Sequence, residues 1–351
     1  MEKFRILTID GGGLRGVVPL TILKKVEEKI AEINALKGLK PQKIWEYFDL
    51  IAGTSTGGLI TCAITLKDPL TNSSKYSLND IMEIYINRGN EIFPQYNGLQ
   101  KLLHNITDIF SPSFSDKGIK KVFRDVVGNA RLKDCLKPIM ISTYDLTNNI
   151  PLFFKWTEAQ ADENLNAELY DICRSTSAGP TYLPGYNFFY PKNPDTENPD
   201  RNCIDGGVYV NNPALAALAE FSKNHKYYLP STSTDTDIDY RSVFVLSIGT
   251  GSHSTPIYSN KSKNKGELFW AKAISDIMMR GVNLTTDYEM NEMMEKNNYL
   301  RLTIDIDNDE HAIMTNSSKE TMDYLIKATQ SQVTTNSKKL NEIEAFLHKA
   351  S

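Results

Sequence analysis

The chain has 351 residues, 40% of them hydrophobic and 23% charged, a balance that suits an ordinary globular fold with a large core. Its formal charge of −4 and pI near 5.8 supply no basic field, so neither nucleic acid nor an anionic membrane is recruited by bulk charge. No run reaches the roughly 18 apolar residues of a membrane span, and the four scattered cysteines (Cys62, Cys135, Cys173, Cys203) suggest neither zinc nor a disulfide framework.

Elements follow from periodicity. The opening M-E-K-F-R-I-L-T-I-D lacks the apolar stretch and cleavage site of a signal peptide. Phe4–Ile9 reads instead as a buried strand, and with reduced cysteines the expected location is cytoplasmic. Pro19 fits a first helical turn, and Leu20, Leu23, Val26, Ile30 and Ile33 recur at helical spacing. Phe48–Ala52 is a second strand and Leu59–Leu66 a second helix. Ser77–Ile92 and Lys117–Val127 read as helices, then Pro138–Tyr144 and Leu152–Trp156 as strands. Val243–Ile248 is the clearest late strand, followed by a helix over Glu267–Met294, a strand over Tyr299–Ile306 and two closing helices. This alternation predicts an α/β fold, a three-layer α/β/α sandwich with a largely parallel central sheet. Lys192–Asn202, Ser231–Asp239 and Ser252–Lys265 read as polar surface insertions.

Two glycine-rich turns carry the chemistry. Thr8–Gly16, T-I-D-G-G-G-L-R-G, matches G-x-G-x-x-G, and a glycine turn ahead of a helix offers backbone N–H groups to negative charge. A dinucleotide site also needs a second strand ending in an acid about 20 residues on. Here a long helical pattern fills that stretch, so a nucleotide-binding oxidoreductase is a remote alternative. G-T-S-T-G over Gly53–Gly57 lies between a predicted strand and a predicted helix, the setting of a nucleophile elbow presenting Ser55.

A serine needs a base. Ser55, Asp205 and His253 follow the Ser…Asp…His order of α/β-hydrolases, but the elbow arrives after only two strands, earlier than in that fold. Asp205, in C-I-D-G-G-V-Y at the end of a short strand, is the other base, provided desolvation raises its carboxyl from near 4. Taken alone, D-G-G reads as a turn-capping aspartate. Gly11–Gly13 would complete an oxyanion hole, each donor stabilising the developing charge by roughly 3 kcal/mol, and Arg15 adds positive potential, holds the tight loop in place or makes a structural ion pair.

D-G-G-G-L-R-G, G-T-S-T-G and D-G-G, in that order, resemble the motifs of the patatin-like phospholipase family, nearest to its plant patatin type. The likeness continues in S-T-S-A-G-P-T-Y-L-P (Ser175–Pro184), L-S-I-G-T-G (Leu246–Gly251) and N-N-Y-L-R-L (Asn297–Leu302). It implies one domain over 1–351 with C-terminal helices from 307 onward packed on it, and a Ser–Asp dyad without catalytic histidine, metal or cofactor. Ser55 would be nucleophile and Asp205 base, with Gly11, Gly12, Gly13 and Arg15 the oxyanion hole and Gly53 and Gly57 the elbow glycines. D-G-G replaces the D-G-A of many members and keeps the aspartate. The implied reaction is hydrolysis of acyl esters in glycerolipids through an acyl-enzyme, by an enzyme in transient peripheral contact with membrane phospholipids and with no nucleic-acid partner. A Ser-His-Asp esterase or acyltransferase is the alternative. Some bacterial members of similar size are switched on by cyclic nucleotides, and no residue here identifies a site for such a nucleotide or partner.

Of the remaining features, D305-I-D307-N-D309 and D235-T-D237-I-D239 imitate calcium loops but lack the glycine, and both read as solvated loops. Phe269, Trp270, Ile274, Ile277 and Met278 form an apolar helix face for which core packing is expected over membrane contact. Pro180–Tyr186 is expected to line an acyl channel or to buttress the site.

Overall fold

A computed structural model describes residues 2–95, 113–191, 200–229, 238–254 and 267–351. It contains strands β1 (Phe4–Ile9), β2 (Leu50–Thr54), β3 (Ile139–Asp145), β4 (Ile150–Lys155), β5 (Tyr186–Phe189), β6 (Asp200–Asp205), β7 (Val243–Ile248) and β8 (Tyr299–Leu302). The principal helices are α1 (Val17–Leu36), α2 (Thr56–Thr65), α3 (Leu78–Ile92), α4 (Lys117–Val127), α5 (Leu169–Thr176), α6 (Ala214–Tyr228), α7 (Glu267–Met293), α8 (Lys319–Thr329) and α9 (Ser337–Ala350). Most of the three polar insertions (192–199, 231–237 and 255–265) and His104 lie outside the described residues.

The sheet is parallel through β3, β2, β1, β7 and β8, and becomes antiparallel where β4, β5 and β6 join it. Its central strands are apolar at nearly every position because both faces are covered. Leu7 and Ile9 of β1, Ile51 of β2, Ile141 of β3 and Leu246 of β7 point into one core, shared with α1–α5, α8 and α9. Their alternates Phe4, Ile6, Leu50, Met140 and Val245 point into the other, against Ala217 and Phe221 of α6 and Met290 of α7. The period of 2 along each strand therefore builds the three-layer sandwich directly. Met322, Leu325, Phe346 and Leu347 place the two C-terminal helices in the same core as α1.

One topological detail positions the site. Thr143 of β3 pairs with Leu152 of β4 on one edge and Asp205 of β6 on the other. Since β4 follows its own edge down to Met140, β2 and β6 must share the opposite one. They run toward each other along it and stop on consecutive residues, Thr54 opposite Ser142 and Asp205 opposite Thr143.

Candidate active site

That head-on meeting brings the end of β2 and the end of β6 together, and with them Ser55 and Asp205. Ser55 occupies the single residue between β2 and α2, at φ 52° and ψ −122°. This left-handed backbone is sparsely populated for a serine and belongs to a sharp strand-to-helix turn. The turn is held from three sides. The Ser55 N–H donates to Thr176 Oγ1 at 2.8 Å, and Thr176 Oγ1 in turn donates to the Ser142 carbonyl at 2.6 Å. The Leu59 N–H donates to the Ser55 carbonyl at 3.0 Å. Gly57 lets the turn press against β1, since a Cβ there would lie 2.0 Å from the Ile9 carbonyl oxygen. Gly53, at the other flank, pairs with Ile9 across the sheet.

The Asp205 carboxylate lies beside the Ser55 hydroxyl, close enough for the hydroxyl to lower its pKa. Its Oδ1 accepts the Gly207 N–H at 2.7 Å, and its own N–H donates to the Ala178 carbonyl at 3.0 Å. Although the side chain keeps some contact with the cleft, the protein packed around it removes most of its hydration. That desolvation outweighs the lowering by Ser55 and by the Gly207 N–H and pushes the carboxyl up to about 6. The first glycine of D-G-G is required by close approach: a Cβ on Gly206 would sit 2.3 Å from Ser142 Oγ. Ser142 itself bonds the Thr54 hydroxyl at 2.7 Å, which donates onward to the Val210 carbonyl at 2.7 Å.

The glycine loop leaves β1 and crosses next to Ser55. Its N–H groups are not equivalent. Gly11 donates to the Asn211 carbonyl at 3.2 Å and is already engaged. Among the described residues nothing accepts from Gly12 or Gly13. The loop is held by its other atoms: the Gly11 carbonyl accepts from Thr250 Oγ1 at 2.6 Å and from Asn211 Nδ2 at 3.4 Å. Arg15 reaches the Ala312 carbonyl at 3.4 Å, and the Leu14 N–H donates to the Met314 carbonyl at 2.8 Å. Arg15 thus ties the loop to the segment ahead of α8. Below the loop, Arg301 makes a two-pronged ion pair with the buried Asp10, with one prong at 2.8 Å.

An apolar cavity of roughly 790 Å³, its open mouth included, begins at Ser55 and Gly13. It follows one side of α2 past Thr56, Leu59 and Ala63, about 12 Å of helix, between Ile84 of α3 and Phe123 of α4. The Tyr85 hydroxyl, on the same wall, bonds Thr56. Of the Pro180–Tyr186 stretch only Leu183 lines the cavity.

Among the described residues no histidine is hydrogen-bonded to Ser55. Both ring nitrogens of His253 are engaged elsewhere, Nδ1 with the Ile306 carbonyl and Nε2 with Asp309, each at 2.7 Å. His311 bonds Thr321 and stacks on Tyr324, and His225 bonds the Ser222 carbonyl. The expectation of core packing for the Glu267–Met294 helix fails at three positions, because Ile274, Ile277 and Met278 are exposed. The packed side of α7 is the opposite one, Thr286 and Met290. The side chains of Phe269 and Trp270 lie outside the described residues. Asp305, Asp307 and Asp309 are exposed, as a solvated loop requires, whereas Asp235 and Asp237 are not among the described residues.

Thr176, Asn211, Thr250 and Arg301 are the supports that motif reading missed. Three of them stood inside stretches already noted for their family likeness, but a lone Thr or Arg there carries no sign of its long-range partner.

Residues 7–218 match the family model described as patatin-like phospholipase. Patatin-like protein 2 of rice (Oryza sativa subsp. indica) is 31% identical over 344 residues, covering 93% of this chain and 83% of its own length. Patatin-04/09 of potato (Solanum tuberosum) is 32% identical over 336 residues, covering 93% and 82%. Among solved structures, VipD from Legionella pneumophila aligns with 94% of this chain and 67% of its own at 12% identity, with a TM-score of 0.36, too loose a likeness to bear on function.

Proposed function

The chain belongs to the patatin-like phospholipase family of lipid acyl hydrolases, and we propose that it cleaves fatty acyl esters of glycerophospholipids with Ser55 as nucleophile and Asp205 as its only base. The observation that carries this reading is the placement of the Ser55 hydroxyl beside the desolvated Asp205 carboxylate, with Ser55 at the mouth of an apolar cavity.

With its carboxyl near 6, Asp205 is mostly ionised at neutral pH yet basic enough to take a serine proton in the transition state. Ser55 Oγ bonds to the acyl carbon as its proton passes to Asp205. The carbonyl oxygen becomes an oxyanion facing the Gly12 and Gly13 N–H groups, which have no acceptor to give up. Collapse breaks the ester bond, and the leaving alkoxide takes the proton from Asp205. Water then adds to the acyl-enzyme, its proton moving to Asp205, and fatty acid leaves as Ser55 is reprotonated. The apolar cavity holds the acyl chain, while the lysolipid departs into the membrane with which the enzyme makes peripheral contact.

Incubating the purified protein with mixed phospholipid and galactolipid vesicles, with products identified by mass spectrometry, tests the reading. Free fatty acid plus lysolipid is the expected outcome, absent in Ser55→Ala. Intact lipids after incubation, with and without added nucleotides, would contradict it.

A further inference from the structure

The outer side of α7 is apolar in a pattern that its inner packing does not require. Thr286 and Met290 are buried against the sheet, and Met279, Val282 and Asn283 beside them are half-buried. Ile274, Ile277, Leu284 and Tyr288 repeat three, seven and four residues apart on the opposite side, spanning about 21 Å. Gly281, at the intervening position of the same stripe, faces open space, and Met278 flanks it. These side chains are 45–66% exposed. With Met293 the helix carries six of the fifteen exposed large hydrophobics among the described residues, which makes this a patch and not ordinary scatter.

The same helix touches the candidate active site. Asn283 Oδ1 accepts from Asn211 Nδ2 at 3.1 Å, and Asn211 also bonds the glycine loop through its carbonyl and side chain. The inner side of α7 therefore abuts the glycine loop, and the stripe lies one helix thickness outside it. For an enzyme whose substrate is an ester in a lipid aggregate, the occupant that this placement fits is the lipid surface itself. A helix lying flat, with one side in the protein and the other in the acyl boundary, is the geometry of an interfacial anchor. Between Ile274 and Tyr288 the chain has one arginine against two aspartates, and Asp287 is turned inward to Tyr299. Immediately before the stripe the sequence carries Lys261, Lys263, Lys265 and Lys272.

We propose that the Ile274–Tyr288 stripe of α7 is the lipid-docking surface of this enzyme, inserting by apolar contact into the bilayer. The inference rests on the lipid acyl hydrolase reading above. The test compares wild type with Ile277→Glu/Leu284→Glu in three measurements. These are sedimentation with phosphatidylcholine vesicles, hydrolysis of those vesicles, and turnover of a soluble short-chain nitrophenyl ester. Wild type should sediment with the vesicles. The variant should lose about tenfold or more in vesicle binding and vesicle hydrolysis while keeping its soluble-ester turnover and melting temperature. Undiminished vesicle binding by the variant would overturn the proposal. So would a wild-type dimer, seen by light scattering, that the double substitution dissociates, because the stripe would then belong to a second copy. Absence of turnover on both substrates would instead strike at the hydrolase reading and leave the binding result to judge the stripe separately.

Discussion

At Asp205, the proposed role and stability pull in opposite directions. Its carboxyl is held near 6, above the ordinary 3.8, so the folded state prefers the protonated form. The sign follows: folding stability falls as pH rises from about 4 through 6 and stays lowered above that. Asp205→Asn removes the cost of ionising a desolvated acid while keeping an acceptor for the Gly207 N–H. Chemical denaturation should find this variant more stable than wild type at neutral pH by roughly 2 kcal/mol, the shift being discounted for residual exposure. The two should converge near pH 4, and equal stability at both pH values would remove the proposed desolvation. Under the proposed mechanism the same titration sets activity, so kcat/KM should rise with pH through about 6 in wild type, and Asp205→Asn should have no measurable turnover. Alanine at His253 or His311 should leave turnover within about twofold, because their ring bonds lie with Asp309, Ile306 and Thr321 and not with Ser55. Near-total loss in either variant would restore the triad.

The elements that carry these residues differ in how openly the sequence displays them. The β1, α1, α4 and β7 segments are plain because each repeats apolar residues at one clear period. The elbow was legible for the same reason, since a strand and a helix flank Ser55. Strand β2 nevertheless runs on to Thr54, two residues past its apolar run, because the backbone pairs with β3 regardless of side chain. Helix α5 and strand β5 were not legible: each is short, and each is fixed by contacts distant in sequence. Nor could local pattern show that β2 and β6 meet head-on along β3, since register is a property of the assembled sheet. Strand β8 likewise stops at Leu302, although the apolar run continues to Ile306. Thr176, on α5, tests how far the elbow depends on this assembly. Thr176→Val leaves the Ser55 N–H without an acceptor and the Ser142 carbonyl without its donor, and should cost about 2 kcal/mol in thermal stability together with a fall in kcat. Thr176→Ser restores the hydroxyl and should recover both. If valine is tolerated, the elbow is held by the sheet alone.

Across the whole molecule the parts of the site come from distant stretches: the glycine loop after β1, the elbow after β2, the aspartate at the end of β6, with supports at Thr250 and Arg301. The Asp10–Arg301 pair beneath the loop is buried, so Arg301→Met should destabilise the protein by about 3–5 kcal/mol by stranding the Asp10 charge. The companion Asp10→Leu/Arg301→Met should regain much of that loss. In the proposed mechanism the cavity along α2 holds the acyl chain. Ala63 lines it two turns from Ser55, and Ala63→Phe should shift hydrolysis toward shorter acyl chains in a competition among nitrophenyl esters of increasing length. An unchanged length profile would place the acyl chain elsewhere. All of this depends on a serine activated by an aspartate without an imidazole between them. The most direct measurement is peptide mapping by mass spectrometry after reaction with a slowly turned-over acyl ester, on wild type, Asp205→Asn and His253→Ala. A single acyl adduct on Ser55 in wild type and His253→Ala, and none in Asp205→Asn, is the predicted result. Acylation at another residue, or its loss in His253→Ala, would contradict it.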